Sequence, residues 1–291
     1  MSLQAMLFRI GAGRSDRKRD RAIPLPEGVQ QVCDLSYGDR GKWNRMDIYY
    51  PKGAQRCPII VSVHGGGFVY GTKEIYKRYC MDLARRGFTV VNMNYRLAPK
   101  WKFPTPLEDI HTLMRWLSRH AKQYHGDNQK IFMVGDSAGA QLVSQYAAIL
   151  TNPSYMETFG MKPLLPGIGI RAVGLNCGLY DMKTVASHHR QGLELDYLGK
   201  EIPNGDPRLD VLGAITENYP PAHITTACHD FLRPMAQPMH DFLAEKGIEC
   251  ELEVYGTEED ASVGHVFHVN ILKPEAVRCN DAQCAFFRQY L

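Results

Sequence analysis

The stretch "VGDSAGAQL", residues 134–142, sets Ser137 on a corner between Gly135 and Gly139. An apolar run, Ile131, Phe132, Met133 and Val134, leads in, and a helix-like run, "AQLVSQYAAIL", leads out. A strand that turns straight into a helix needs flanking residues without bulk, and the two glycines meet that need. Ser137 would then stand exposed at the tip, at a helix N-terminus whose dipole favours a developing negative charge. A serine hydroxyl is a poor nucleophile near neutral pH. It needs a base to take its proton, an acid to orient that base, and donors for the oxyanion that forms. The pentapeptide G-D-S-A-G is a weak signal by itself, and its position between a strand and a helix gives it weight.

The surrounding chain has the rhythm such a corner requires. Short β-rich segments recur: "RMDIYYP" (45–51), "PIIVSVHG" (58–65), "GFTVVNMNY" (87–95), "KIFMVG" (130–135), "RAVGLNCG" (171–178), "AHITTACHD" (222–230) and "ECELEVYG" (249–256). Those at 58–65 and 87–95 are nearly continuous apolar runs, as in strands buried on both faces. Helical stripes lie between. Leu107, Ile110, Leu113, Met114, Leu117 and Ala121 recur at three and four with Pro104 and Pro106 at the entrance; Met235, Met239, Phe242 and Leu243 stop at Gly247; Val277, Phe286, Phe287 and Tyr290 mark a last helix. Strand and helix in alternation predict an α/β fold, a mostly parallel sheet with helices on both faces, read as one domain over 1–291. Ligands of such sheets bind beyond the carboxyl ends of the strands, so residues that directly follow a strand are the ones to weigh. Two segments stand outside the alternation, 1–30 and 182–218, and both are candidate pieces of a small cap.

Three strand ends supply what Ser137 needs. "HGGGF" (64–68) follows "IIVSV", and its glycines leave backbone N–H groups uncovered beside a substrate. A phosphate-binding loop is the rival reading, but the Lys-Ser/Thr of a P-loop is missing. His64 precedes the serine and is read as a hydrogen-bonding residue of this loop rather than the base. "HDFLRP" follows "HITTAC" and puts Asp230 at a strand end; Asp181 in "GLYDMK" is its rival, and the order Ser, acid, His along the chain favours Asp230. His265 and His268 occur in "GHVFHVN" after the last strand. His265 follows a glycine at a turn and is preferred, whereas capping or packing accounts for His268. Phe68, Tyr70 and Tyr95 stand near this rim and are read either as pocket walls or as ordinary core aromatics.

Bulk properties restrict the alternatives. The 291 residues are 44% hydrophobic and 22% charged, enough for a sizeable core. A formal charge of +3 does not argue for nucleic acid or an anionic membrane as a partner. "RSDRKRDR" (14–21) is a local exception, with five basic and two acidic side chains, and is read as a solvated face. The eight cysteines form no CxxC pair and several lie in apolar runs, which fits thiols in a reducing compartment and no metal site. "MSLQAMLFRIGAG" lacks the form of a secretory signal, and no apolar run approaches a membrane span. A cytoplasmic location is expected.

Taken together, "HGGGF", "NYRLAP" (94–99), "FPTPLEDI" (103–110), "GDSAG", "DFLR" (230–233) and "GHVF" (264–267) resemble the hormone-sensitive-lipase-like branch of the α/β-hydrolase superfamily, which includes bacterial acetyl esterases and short-chain carboxylesterases. The resemblance runs from about residue 45 to the end, in that family's motif order. It implies an α/β-hydrolase fold with Ser137 as nucleophile, Asp230 as orienting acid, His265 as base, and an oxyanion hole from Gly66, Gly67 and Ala138. It also implies a short acyl group such as acetyl, a small-molecule ester as substrate, and no cofactor. A homodimer is an open expectation. Lys100 after "YRLAP", Phe231 and Pro234 where the family often has "DPLRD", and Val266 where it often has "HGF" bear on substrate preference and remove no group the chemistry needs. Hydrolysis of an aryl formamide by the same residues is the second reading, and a non-catalytic binding protein the third.

Overall fold

Residues that alternate sides along a strand sort the core into two layers. In "CPIIVSV", Ile59, Val61 and Val63 face one apolar layer and Ile60 the other; in the strand that carries Ser137, Ile131 and Met133 face the first and Phe132 and Val134 the second. The computed structural model describes residues 1–187 and 190–291. Among these, eight strands form one sheet: β1 (Val29–Ser36), β2 (Arg45–Pro51), β3 (Cys57–Val63), β4 (Thr89–Met93), β5 (Gly126–Asp136), β6 (Ile170–Asn176), β7 (Ala222–Ala227) and β8 (Cys250–Tyr255). Their order is β1-β2-β4-β3-β5-β6-β7-β8. Strand β2 runs antiparallel to both its neighbours, and all pairings from β4 to β8 are parallel.

The described helices are α1 (Leu3–Ala22), α2 (Lys73–Arg85), α3 (Thr105–His120), α4 (Ala138–Thr151), α5 (Pro153–Thr158), α6 (Met182–Ser187), α7 (Gly192–Leu198), α8 (Val211–Ala214), α9 (Ala236–Glu245) and α10 (Pro274–Arg288). Helices α3, α4 and α9 cover the first apolar layer through Leu107, Leu113, Leu142, Val143 and Leu243. Helices α2 and α10 cover the second, where Phe88, Phe132 and Phe287 pack ring against ring. Truncating one such buried ring to Ala costs about 3–5 kcal/mol. This is the α/β-hydrolase fold expected from the sequence. No described helix is long and apolar enough to cross a membrane.

The two segments left outside the alternation contain structure of their own. The first is mostly α1, begun by Ser2, whose hydroxyl accepts from the Ala5 N–H. Its last two residues open β1, which the sequence series lacks. Most of β1's residues are exposed, its register shifts between Val32 and Leu35, and "VQQVCDLS" carries no apolar run. It is an edge strand held by one neighbour, so alternation is blurred where packing is one-sided. The second segment contributes α6, α7 and α8, and residues 188 and 189 within it lie outside the described residues.

Candidate active site

The corner at Ser137 follows from its neighbours. A Cβ on Gly135 would overlap the Gly139 carbonyl, and one on Gly139 would overlap the Val63 carbonyl at the end of β3. Strand β5 can therefore pass into α4 at this spacing only with glycine on both sides. The turn leaves Ser137 at φ 52° and ψ −119°, a backbone conformation that costs about 1–3 kcal/mol and persists because its surroundings hold it. Its N–H donates to the Asn176 carbonyl at 2.9 Å, which ties the corner to the end of β6.

Register places the next two groups. Strands β7 and β8 are paired in parallel to Ala227 and Tyr255, and beyond them His229 forms an isolated bridge with Gly264. That bridge sets Asp230 and His265, each one residue further on, side by side. His265 Nδ1 lies 2.7 Å from Asp230 Oδ1. The same oxygen accepts the Leu232 N–H at 2.9 Å, and Oδ2 accepts the Thr226 hydroxyl at 2.8 Å. The Asp230 side chain is fully buried, while that of His265 is 23% exposed. Burial pushes the Asp230 carboxyl up, but the bonds from His265, the Leu232 N–H and the Cys177 thiol together hold it below its ordinary value. A buried, ionised carboxylate fixes one ring nitrogen of His265 as the proton carrier and leaves the other for the cavity. Donor atoms of Cys177, Asp230 and His265 lie within 4.8 Å of one another. Hydrogen bonding within the group accounts for that closeness.

Ser137, His265, Gly66, Gly67 and Ala138 all line one cavity of about 920 Å³. Among the described residues the N–H groups of Gly66, Gly67 and Ala138 have no hydrogen-bond partner, and neither has the Ser137 hydroxyl. The serine-to-imidazole contact is thus open, whereas the imidazole-to-carboxylate contact is closed. Catalytic hydrogen bonds commonly tighten only when substrate binds. Gly66 has φ +113°, and a Cβ there would overlap the Tyr70 carbonyl, so the loop's exposed amides depend on glycine.

The rival residues are occupied elsewhere. Asp181 Oδ1 accepts from the Thr184 N–H at 2.9 Å and caps α6. His64 is buried, stacks on Tyr95 with centroids 4.2 Å apart, and meets the Gly65 carbonyl at 2.8 Å through Nδ1. Burial lowers its pKa to about 4, so it is neutral and structural. His268 is buried against Tyr79 in a 3₁₀ turn, and burial lowers its pKa to about 3. Of the three aromatics, Phe68 and Tyr70 line the cavity, and Tyr95 is a core residue whose hydroxyl donates to the His64 carbonyl at 2.8 Å.

Sequence reasoning passed over Asp136 and Tyr76. The Gly65 N–H donates to the Tyr76 oxygen at 3.2 Å, and the Tyr76 hydroxyl donates to Asp136 Oδ2 at 2.7 Å. Tyr76 thereby links the glycine loop to Asp136, the residue before the nucleophile. Burial raises the Asp136 pKa to about 6 despite the Tyr76 bond. The acid stood in the quoted motif, but nothing in the linear sequence pairs it with a tyrosine 60 positions away. Helix α1 also reaches the site. Phe8 meets Tyr70 edge-on at 6.2 Å, the Tyr70 hydroxyl donates to Asp16 at 2.8 Å, and Arg9 donates to the carbonyls of Val69 and Ala98 at 2.7 and 3.0 Å. At its start, Ser2 bonds Asp196 of α7 through both its N–H and its hydroxyl.

Comparison with known proteins agrees with this fold. A family model described as alpha/beta hydrolase fold matches residues 60–269. The chain is similar to esterase LipI of Mycobacterium tuberculosis, at 28% identity over 284 residues that cover 90% of this chain and 86% of that protein. It is similar to an acetyl esterase of Salmonella schwarzengrund, at 28% identity over 72% of this chain and 66% of that one. Among solved structures, inhibited esterase B from Lactobacillus rhamnosis aligns with a TM-score of 0.86 over 98% of this chain and 95% of that one, at 23% identity, a likeness of fold.

Proposed function

We infer that this chain, which belongs to the α/β-hydrolase fold family, is a serine carboxylesterase acting on short-chain acyl esters, with Ser137 as nucleophile, His265 as base and Asp230 as orienting acid. Its relatives named esterase and acetyl esterase support the reaction class. The observation that carries the residue roles is the meeting on one cavity of the Ser137 hydroxyl, the Asp230-bound imidazole and three unpaired N–H groups.

In this reading Ser137 Oγ attacks the ester carbonyl carbon while His265 Nε2 takes the hydroxyl proton. The carbonyl π-pair moves to oxygen, and the N–H groups of Gly66, Gly67 and Ala138 receive the oxyanion. Collapse expels the alcohol, protonated by His265, and leaves an acyl-serine. Water attacks the acyl carbon with His265 again as base, and the carboxylic acid departs. Asp230 holds the ring in the tautomer that presents a bare nitrogen to Oγ and stabilises the imidazolium between the steps. The wall beside Gly67 is close: Leu193 Cδ1 lies 2.9 Å, and Phe8 3.8 Å, from where a Cβ on Gly67 would sit. Phe68 stacks on Tyr197 at 3.8 Å next to it. Helices α1 and α7 act as cap pieces over this wall and favour a short acyl group. A cytoplasmic location, consistent with eight free thiols, a homodimeric state and the absence of a nucleic-acid partner belong to the same proposal.

A p-nitrophenyl ester panel from acetate to decanoate, run on the wild type and on Ser137→Ala, tests it. Highest kcat/KM at the short end, lost in the variant together with fluorophosphonate labelling, is the expected result. Activity retained by Ser137→Ala would remove the serine mechanism, and faster turnover of an aryl formamide than of any ester would move the reading to amide hydrolysis.

A further inference from the structure

Helix α1 carries a second face that the hydrolytic reaction does not use. Its inner stripe is clamped to the body through Ser2, Arg9, Asp16 and Arg19, the last of which donates to the Ile75 carbonyl at 2.7 Å. The outer stripe follows the same helical spacing, Leu3, Leu7, Ile10, Arg14, Arg17/Lys18 and Arg21, and divides into halves. Leu3, Leu7 and Ile10 are 67%, 58% and 44% exposed, with Met6 beside them. Of the twelve exposed large apolar residues described, five fall within the first ten positions, so this is a patch and not scatter. The second half presents Arg14, Arg17, Lys18 and Arg21, which line a shallow surface pocket. Among the described residues none of these four forms an ion pair, because Asp16 and Asp20 are both taken by Arg19.

We propose that the outer face of α1 docks the protein on an anionic phospholipid surface, with Leu3, Met6, Leu7 and Ile10 entering the acyl boundary and Arg14, Arg17, Lys18 and Arg21 meeting lipid phosphates. Apolar side chains alone would suit many partners, and cations alone would suit any polyanion. Only a partner that offers both within the length of one helix satisfies both halves, and a bilayer interface does so by depth when the helix tilts. A second copy of the chain whose helix overlaps α1 along its full length fits poorly. A two-fold axis along the helix sets cations against cations, and one across it sets the apolar half against the cationic half. A nucleic acid would leave the apolar half facing water. The inner stripe of α1 also lines the active-site cavity through Gln4, Phe8, Ala12 and Asp16. Docking would therefore bring the cavity to the surface where apolar esters collect.

The test is co-sedimentation of the full chain with phosphatidylcholine vesicles, with and without phosphatidylglycerol, at low and high salt. The expected result is binding to the anionic vesicles that weakens with salt. The quadruple variant Arg14→Glu, Arg17→Glu, Lys18→Glu, Arg21→Glu should lower the partition coefficient by at least about a hundredfold. The pair Leu7→Ser, Ile10→Ser should lower it by about tenfold. None of these six residues lines the cavity, so turnover of soluble p-nitrophenyl acetate should persist in both variants. Binding is read without turnover, and Ser137→Ala protein serves equally, so a failure of the hydrolytic reading is separable from a failure of docking. No sedimentation with anionic vesicles, or sedimentation that both variants retain, overturns the proposal. A wild-type dimer in sedimentation velocity that the Leu7→Ser, Ile10→Ser pair dissociates would assign the face to a second copy instead.

Discussion

Asp136→Asn isolates the cost of the buried acid beside the nucleophile. Burial raises this carboxyl from its ordinary 3.8 to about 6. One pKa unit corresponds to about 1.4 kcal/mol, so ionised Asp136 disfavours the native state by about 3 kcal/mol relative to the unfolded chain. The sign follows from proton counting. Between 3.8 and about 6 the native protein holds a proton that the unfolded chain has lost, so this group's contribution is fully present below the lower value and is lost as pH rises through the upper one. Asparagine keeps an oxygen to accept from Tyr76 and has no proton to lose, so its own offset is independent of pH. Urea denaturation of both proteins at several values between about pH 4 and about pH 7 measures the difference. The stability of the variant minus that of the wild type should grow by about 2 kcal/mol across that window, in the direction of higher pH. All other titrating groups cancel in the difference. Parallel curves throughout would refute the assignment of a strained ionisation to Asp136.

Two further substitutions probe the mouth of the site. Gly66→Ala puts a Cβ onto the Tyr70 carbonyl at a φ of +113°, so kcat for p-nitrophenyl acetate should fall by about 10²–10³, as for loss of an oxyanion donor, with a lower melting temperature; unchanged kcat would show that this loop does not hold the oxyanion. Phe231 is 72% exposed with its ring 4.3 Å from that of His265, where a departing aryl group would pass, so Phe231→Ala should reduce kcat/KM for phenyl acetate about 3- to 10-fold while sparing ethyl acetate. Equal losses on both esters would count against an aromatic contact.

What the sequence disclosed and what it withheld divide along a physical line. Strands buried on both faces announce themselves as apolar runs, and residues at their carboxyl ends inherit the site from topology, which is why Ser137, Asp230, His265 and the glycine loop could be nominated by position. Edge strand β1 could not, because a strand packed on one side needs no apolar run. Rival histidines show the same division. Chain order and the turn after Gly264 favour His265 over His64 and His268, and folding supplies the physical reason: His64 is a buried neutral ring stacked on Tyr95, whereas His265 is reached by solvent and held by a carboxylate. The Tyr76–Asp136 bond and the clamp from Arg9 to the Val69 and Ala98 carbonyls are contacts between positions 60 or more apart, each built on a charged residue of a type that is usually exposed. The two faces of α1 make the point most sharply. "RSDRKRDR" reads as a solvated charge run, yet folding assigns Asp16 and Arg19 inward to the cavity and leaves Arg14, Arg17, Lys18 and Arg21 outward, with no acid paired to them among the described residues. A run of five basic and two acidic residues thus becomes a wholly basic outer face, and the helical period is the agent that sorts it.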